Sequence, residues 1–435
     1  MKCHQIDKKF MLKNIFKRII IFALKTEAKF ILRKHKPKII AITGTVGKTS
    51  VKDAVALIVG RKFKIRKSEK SYNSKLGVPL TVIGAKNAWS NPFQWLIIFI
   101  KGLKEVFSRG DYPEWLVLEA GIDEKGGMRR FISWIEPNIA VVTALGEVPV
   151  HVENFKSPED LMKEKMKLAH KIAQENYIVL NGDDKFILAN NGDIKANVVK
   201  FGFEEGNDVK ISNYRITPEG INFKIDYKGN IIPVRLNNIF GRQFAYIAAA
   251  AMSVGLCLGF NLIEMVEDLL LFKPQPGRLN LLEGIKNSLI FDDSYNSSPM
   301  AVASALGVLK DFPSKRKIVV LGDMLELGKF AIEEHRKVGK AVNDLGADFF
   351  FAVGPRMKFA AEEARVNGFN PKNIFEFSTS EETKSKVQEI IKEGDLVLVK
   401  GSQSMRMEKV TEEIMAHPEN KNELLVRQEK EWLNR

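Results

Sequence analysis

The chain has 435 residues, 45% of them apolar and 28% charged, which places it in the soluble globular class with material for two or three full cores. Its two cysteines, Cys3 and Cys257, lie far apart without metal-type spacing, which excludes a disulfide framework and points to reduced thiols in a cytoplasmic protein. The formal net charge of +14 is unevenly placed, because residues 1–37 carry eleven Lys and Arg against only Asp7 and Glu27.

Within that first segment Leu12, Ile15, Phe16, Ile19 and Ala23 recur at helical spacing, which predicts a basic amphipathic helix. Two readings stand for it: packing on the next domain, or contact with an anionic membrane surface. The apolar run from Ile19 to Leu24 is far shorter than the roughly 20 residues of a spanning helix. No small-residue cleavage site follows, so a signal peptide is not expected. Nucleic-acid binding is not expected either, since the charge sits in one helical end segment and no recognition motif accompanies it.

Lys38 to Ile42 is a short apolar run of strand type, and Val51 to Val59 reads as a helix. Between them lies Thr43-Gly44-Thr45-Val46-Gly47-Lys48-Thr49-Ser50. Strand, glycine loop and helix form a phosphate-binding arrangement. Gly44 and Gly47 permit the tight turn, and the main-chain N–H groups of Thr45, Val46 and Ser50 with the helix N-terminus converge on an anion. Lys48 would reach the terminal phosphates, and the Thr49 hydroxyl would take Mg2+. The motif is shorter than its common form, with Ile42 in place of the first glycine.

Phe63 to Lys70 reads as extended, and Ser71 to Thr81 as a loop whose exit Pro79 restricts. Residues 89–107, with Trp89, Phe93, Trp95 and Leu96 to Ile100, read as a core or interface helix, or as an interfacial membrane patch. Trp115 to Glu119 is a buried strand ending in a carboxylate and then Gly121, where an α/β fold places a metal ligand. A second such strand starts at Ile139 and leads to His151, and with Glu119 and Thr49 this histidine becomes a candidate metal ligand. Ser157 is the expected N-cap of the next helix. Strand Tyr177 to Asn181, short antiparallel strands over 198–237, a small-residue helix from Ala245 to Leu258 and a hinge at Pro274 to Gly277 follow. Strands beginning at Leu289, Lys317, Phe349 and Leu396 complete an alternation that implies parallel sheets.

Taken together, the motifs resemble the Mur ligase family, and within it the branch that joins D-alanyl-D-alanine to a muramoyl-tripeptide. The resemblance runs from about residue 38 to residue 412. It rests on Thr43 to Ser50, on Asn73 to Thr81, on Glu119-Ala120-Gly121, on Pro276-Gly277-Arg278-Leu279, on Asp292 to Pro299, on Leu321 to Gly328 with His335, and on Val399 to Ser402. It implies an α/β architecture, with a central P-loop ATPase domain over 38–275 and a Rossmann-like C-terminal domain over 276–435 following the basic helical extension over 1–37. It implies ATP, two Mg2+ ions, and ligands Thr49, Glu119, His151 and a carbamylated Lys165. By the same resemblance Lys48, Glu119, His151, Lys165 and Arg278 are catalytic, and Arg278 and Asp293 contact the nucleotide. Asn73, Thr81, Tyr295, Asn296, Asp323, Glu326 and Ser402 would contact substrate. The implied reaction is amide formation through an acyl phosphate. A cytoplasmic monomer is expected, with the lipid contact of residues 1–37 left as one of the two readings of the basic helix.

The chain departs from the family pattern in two places. About 40 residues precede the phosphate loop, where the family carries a UDP-binding domain, so either the central domain alone grips the substrate or the carrier differs. Gln243 and Phe244 stand where the family has His-Asn, so either Phe244 packs on the nucleotide base or nucleotide affinity is reduced. Another amide ligase of the family, of folylpolyglutamate type or acting on another wall precursor, and a non-catalytic nucleotide-binding scaffold are the competing readings.

Overall fold

The computed structural model describes residues 2–69, 72–89, 91–108 and 110–433, with side chains from Lys17 to Trp432. The chain divides into two compact units: residues 1–143, 163–200 and 250–268, and residues 144–162, 201–249 and 269–435.

The first unit opens with helix α1 (Lys2–His35). Leu12, Ile15 and Phe16 of the expected apolar face lie outside the described side chains. Beyond them the buried stripe is Ile20, Leu24, Ala28 and Ile31, whereas Ile19 is exposed and Ala23 half-buried. The helical period was legible but its phase was not, because apolar residues occur on most sides of this helix and only the packing partner selects one.

In chain order the elements that follow are β1 (Lys38–Thr43), α2 (Lys48–Gly60), β2 (Ile65–Lys67), α3 (Gly77–Ile83), α4 (Pro92–Phe107), β3 (Trp115–Glu119), α5 (Gly127–Ile132), β4 (Ile139–Val142), α6 (Pro158–His170), β5 (Tyr177–Asn181), α7 (Lys185–Ala189) and β6 (Asn197–Gly202). The stretch expected to be a loop as far as Thr81 turns helical at Gly77. Pro79 stands in the first turn of α3, where the N–H it lacks would have had no helical partner.

The sheet runs β2-β3-β1-β4-β5, all parallel. β3 and β4 are buried throughout, as unbroken apolar strands covered on both faces should be. Because β3 and β4 flank β1 on opposite sides, the connections diverge at the carboxyl end of β1. Such a switch point leaves a crevice for ligands.

In the second unit β7 (Val209–Thr217), β8 (Gly220–Tyr227) and β9 (Asn230–Asn237) form the expected antiparallel meander. Helices α8 (Arg242–Cys257) and α9 (Leu262–Leu269) come next in the chain. Then follow β10 (Asn280–Gly284), β11 (Ser288–Asp293), α10 (Pro299–Asp311), β12 (Arg316–Gly322), α11 (Ala331–Leu345), β13 (Phe349–Val353), α12 (Met357–Val366), β14 (Ile374–Phe377), α13 (Ser380–Ile390), β15 (Asp395–Lys400) and α14 (Glu408–Ile414). Their sheet has the order β10-β11-β15-β12-β13-β14 over a core that includes Ile290, Val320, Phe351 and Val397. It is not wholly parallel: β10 pairs antiparallel with β11, because the two are joined by a short turn with no room for a crossover helix.

Candidate active site

β1 delivers the chain into the glycine loop and α2 begins at Lys48. Gly44 and Gly47 take φ of 144° and 85°, which a side chain would strain. No side chain caps the first turn of α2, so its leading N–H groups remain directed out of the helix end. Lys48 bends back over the loop, with Nζ donating to the Thr45 carbonyl at 3.1 Å. Thr143, just beyond β4, braces the loop from the other side through a 2.6 Å bond from Oγ1 to the Val46 carbonyl.

Sheet register brings Glu119 beside Ile42, at the same edge. Its carboxylate, 1% exposed, accepts from Thr49 Oγ1 at 2.9 Å and from Asn73 Nδ2 at 2.8 Å. Three separate sequence motifs thus meet in one pair of hydrogen bonds. Gly121 completes the set: its N–H donates to the Asn73 carbonyl at 3.2 Å, and a side chain there would overlap the Asn73 amide.

Lys165, 2% exposed on α6, donates from Nζ to the Gly44 carbonyl at 3.0 Å and to Thr45 Oγ1 at 3.1 Å. Burial, and then the neighbouring Lys48 charge, hold its amine well below the ordinary lysine range. A lowered pKa favours the neutral, nucleophilic form of the amine. Lys52, fully buried one turn after Lys48, anchors α2 by a 2.6 Å bond to the Ser68 carbonyl. Burial lowers its pKa too, opposed by Asp53 and Glu119.

The oxygen set of Thr49 and Glu119 suits a hard cation such as Mg2+: the carboxylate is buried and both groups bonded to it are neutral donors. Among the described residues no three His, Cys, Asp or Glu side chains group as a metal site. His151 belongs to the second unit and takes another partner, its Nδ1 lying 2.8 Å from Glu326 Oε2. The His151 partnership holds the Glu326 carboxyl below its ordinary range. Thr81 is buried in α3, its hydroxyl turned onto the Gly77 carbonyl.

In the second unit the carboxyl ends of β11, β15 and β12 are adjacent, so the Asp292, Lys400 and Asp323 motifs converge. Lys400 donates to Asp293 Oδ2 at 2.7 Å and to the Asn296 carbonyl at 2.8 Å. Burial raises the Asp293 pKa while Lys400 opposes it. The Asn296 amide oxygen accepts from Gln403 N–H at 3.3 Å, and the Arg278 guanidinium lies over the Tyr295 ring at 4.0 Å.

Besides Thr81, two further residues expected at substrate turn inward instead. Asp323, 1% exposed, accepts from the N–H groups of Arg356 and Met357 at 3.0 and 2.8 Å and so anchors the start of α12. Buried Ser402 accepts from Leu325 N–H at 2.8 Å. His335 Nε2 accepts from Met324 N–H at 3.0 Å while Nδ1 donates to the Ala331 carbonyl, and burial lowers its pKa. These three groups shape the loop from Leu321 to Gly328. Phe244 also needs correction: it is 2% exposed and packs on Phe272, so its ring is held within the protein rather than presented to a base. Gln243 accepts from Ser304 Oγ at 2.8 Å.

Sequence reasoning missed Thr143 and Arg427. The buried Arg427 guanidinium bonds the carbonyls of Ser294 and Tyr295 and the Glu408 carboxylate, at 2.7 Å for the last. No local pattern marks it, since its partners lie up to 133 residues away.

Comparison with known families places residues 99–255 in the Mur ligase middle domain and residues 277–403 in the domain described as Mur ligase, glutamate ligase domain. Together these matches take in more than half of the chain. The chain belongs to the Mur ligase family. The UDP-N-acetylmuramoyl-tripeptide D-alanyl-D-alanine ligase of Bacillus subtilis is 25% identical over 397 residues, spanning 91% of this chain and 80% of that one. The protein of the same name from Rickettsia prowazekii is 24% identical over 416 residues, 93% of this chain and 83% of that one. The crystal structure of the MurF ligase from Thermotoga maritima in complex with ADP shares the fold, with a TM-score of 0.75 at 24% identity over 90% of this chain and 83% of that one.

Proposed function

We propose that this Mur ligase is an ATP-dependent amide ligase that joins D-alanyl-D-alanine to a muramoyl-tripeptide through an acyl phosphate. The observation that carries the reading is the Glu119 carboxylate. It is buried at the carboxyl edge of the sheet and bonded at once to Thr49 of the phosphate loop and Asn73 of the Asn-Gly-Pro segment. That single group links the place where a nucleotide would bind to the place where a second substrate would approach. The matched relatives from Bacillus subtilis and Rickettsia prowazekii carry this activity in their names.

In this mechanism the glycine loop and the N-terminus of α2 hold the ATP phosphates, and Lys48 swings from Thr45 to the terminal ones. Thr49 and Glu119, with carbamylated Lys165, would hold Mg2+, two ions in all, which supply charge neutralisation at the phosphates. An oxygen of the peptide carboxylate attacks the γ-phosphorus, the bond from that phosphorus to ADP breaks, and an acyl phosphate forms. The dipeptide amine then adds to the acyl carbon, loses a proton, and expels inorganic phosphate. Lys165 reacts as the neutral amine that burial favours: its nitrogen adds to CO2 and releases one proton, turning a neutral amine into an anionic carbamate ligand. Arg278 and Asp293 are assigned to the nucleotide, and Tyr295, Asn296 and Glu326 to substrate. The functional domains are assigned to 38–275 and 276–435. The enzyme is assigned to the cytoplasm as a monomer whose residues 1–37 touch anionic lipid.

The test is phosphate release with ATP, Mg2+ and D-alanyl-D-alanine, comparing UDP-N-acetylmuramoyl-tripeptide with the same muramoyl-tripeptide lacking UDP, and weighing the products by mass spectrometry. Ligation that requires both amine and tripeptide is the expected result. ATP binding without ligation of either acceptor would refute it.

A further inference from the structure

Helix α4 is apolar on two opposite sides. Trp95, Ile98 and Gly102 face inward and are buried. Phe93, Leu96, Ile97, Ile100, Leu103 and Phe107 recur at helical spacing on the other side and are exposed, Phe93 by 78% and Phe107 by 80%. A face of this size is unusual on a chain that works alone in water. Helix α1 packs beside it. Glu27 of α1 abuts Gly102, where a side chain would collide with its carboxylate, and Lys34 Nζ donates to the last carbonyls of α4, that of Val106 at 2.9 Å. α1 itself exposes Ile19, Phe22 and Phe30 on the side away from its buried stripe.

Charge identifies what would cover this face. Lys101 and Lys104 are exposed on α4, with Lys101 Nζ donating to the Gly84 carbonyl, and Lys17, Arg18 and Arg33 are exposed on α1. The acid of α4, Glu105, is half-buried, and its carbonyl receives His35 of α1 at 3.0 Å. Trp89, partly exposed, stands at the entrance of α4, where an amphipathic ring suits a water–hydrocarbon boundary. Among the described residues no helix is long and apolar enough to cross a membrane.

We propose that the outer face of α4, flanked by α1, is a docking surface for an anionic lipid bilayer on which the protein lies without crossing. Phe93, Ile97, Ile100 and Phe107 enter the headgroup and acyl boundary, and the lysines and arginines at their rim pair with lipid phosphates. This deepens the lipid contact assigned to residues 1–37 and moves its centre to α4. It does not depend on the ligase chemistry, because vesicle binding and ligation are measured separately.

The experiment is flotation of the full chain with vesicles of phosphatidylglycerol in phosphatidylcholine, against phosphatidylcholine alone, at low and high salt. Binding to the anionic vesicles that weakens with salt is expected, and Ile97→Asp with Ile100→Asp should reduce it by about ten-fold or more. The control Val366→Asp, at an apolar residue of α12 that is 81% exposed, should bind as the parent does. The proposal is overturned if the parent chain does not float with anionic vesicles, or if the double variant floats equally well. It is also overturned if the parent sediments as a dimer that the double variant dissolves, which would make a second copy the occupant.

Discussion

Replacing Glu119 by Gln changes the charge of the central carboxylate while nearly preserving its shape. Only the Gln carbonyl can accept, so one of the two donors, Thr49 at 2.9 Å or Asn73 at 2.8 Å, loses its acceptor and the other keeps a neutral bond. Hydrogen bonds to charged groups contribute about 1.5–3 kcal/mol and neutral ones about 0.5–1.5, and removing a buried charge returns part of the loss. The net cost is therefore about 1–3 kcal/mol, which lowers Tm by about 2–4 °C per kcal/mol in a unit of this size. Catalysis should suffer far more. Loss of a preorganised charge at the phosphates is expected to lower kcat by about 10²–10³. Thermal unfolding without nucleotide reads the first quantity, and initial rates of phosphate release against Mg2+ concentration read the second. If Glu119→Gln loses stability yet keeps the parent's turnover and Mg2+ requirement, the carboxylate is a structural clasp and its assigned role in the reaction is wrong.

Lys165→Met should abolish ligation, and the parent should slow in CO2-depleted buffer and recover with bicarbonate. Burial lowers the amine pKa, so the neutral form gains with rising pH and the bicarbonate requirement should be steepest on the acid side; turnover indifferent to bicarbonate at every pH would count against the carbamate. Burial between α1 and α4 raises the Glu27 pKa from 4.5 to about 7, so the folded state holds a proton that the unfolded state has released between those values. Stability from this group is lost as pH rises through that window, and Glu27→Gln should be stabilising above pH 7 and neutral below pH 4.5, as chemical unfolding at the two extremes would reveal. Gly339 on α11 sits against the Ala360 backbone of α12, so Gly339→Ala should cost about 1–3 kcal/mol of overpacking, offset by at most about 1 kcal/mol of helix propensity, with ATP affinity unchanged by calorimetry.

Short-range chemistry was legible in the chain itself. The strand and glycine loop at Lys38 to Ser50, the strand Trp115 to Glu119 and the strand Phe349 to Val353 were readable because backbone sterics, side-chain alternation and glycine freedom act over a few residues. Motif identity also marked Asn73, Thr49 and Glu119 as belonging to one site. Their union in two hydrogen bonds came from sheet register, which sets Ile42 against Glu119, 77 positions further along the chain. Burial was the property least visible in advance. Phe244 and Asp323 carry side chains fit for a ligand, yet packing on Phe272 and bonding to the N–H groups of α12 turn them inward. Arg427 reaches Ser294 and Tyr295 for the same reason, since long-range partners are chosen by the folded surface and leave no local period to read. By itself the sequence determined most of the elements, the glycine loop and the residue types of the candidate site. Only the tertiary structure decided which of those residues face one another, because exposure and pairing are properties of the packed chain and of no segment within it.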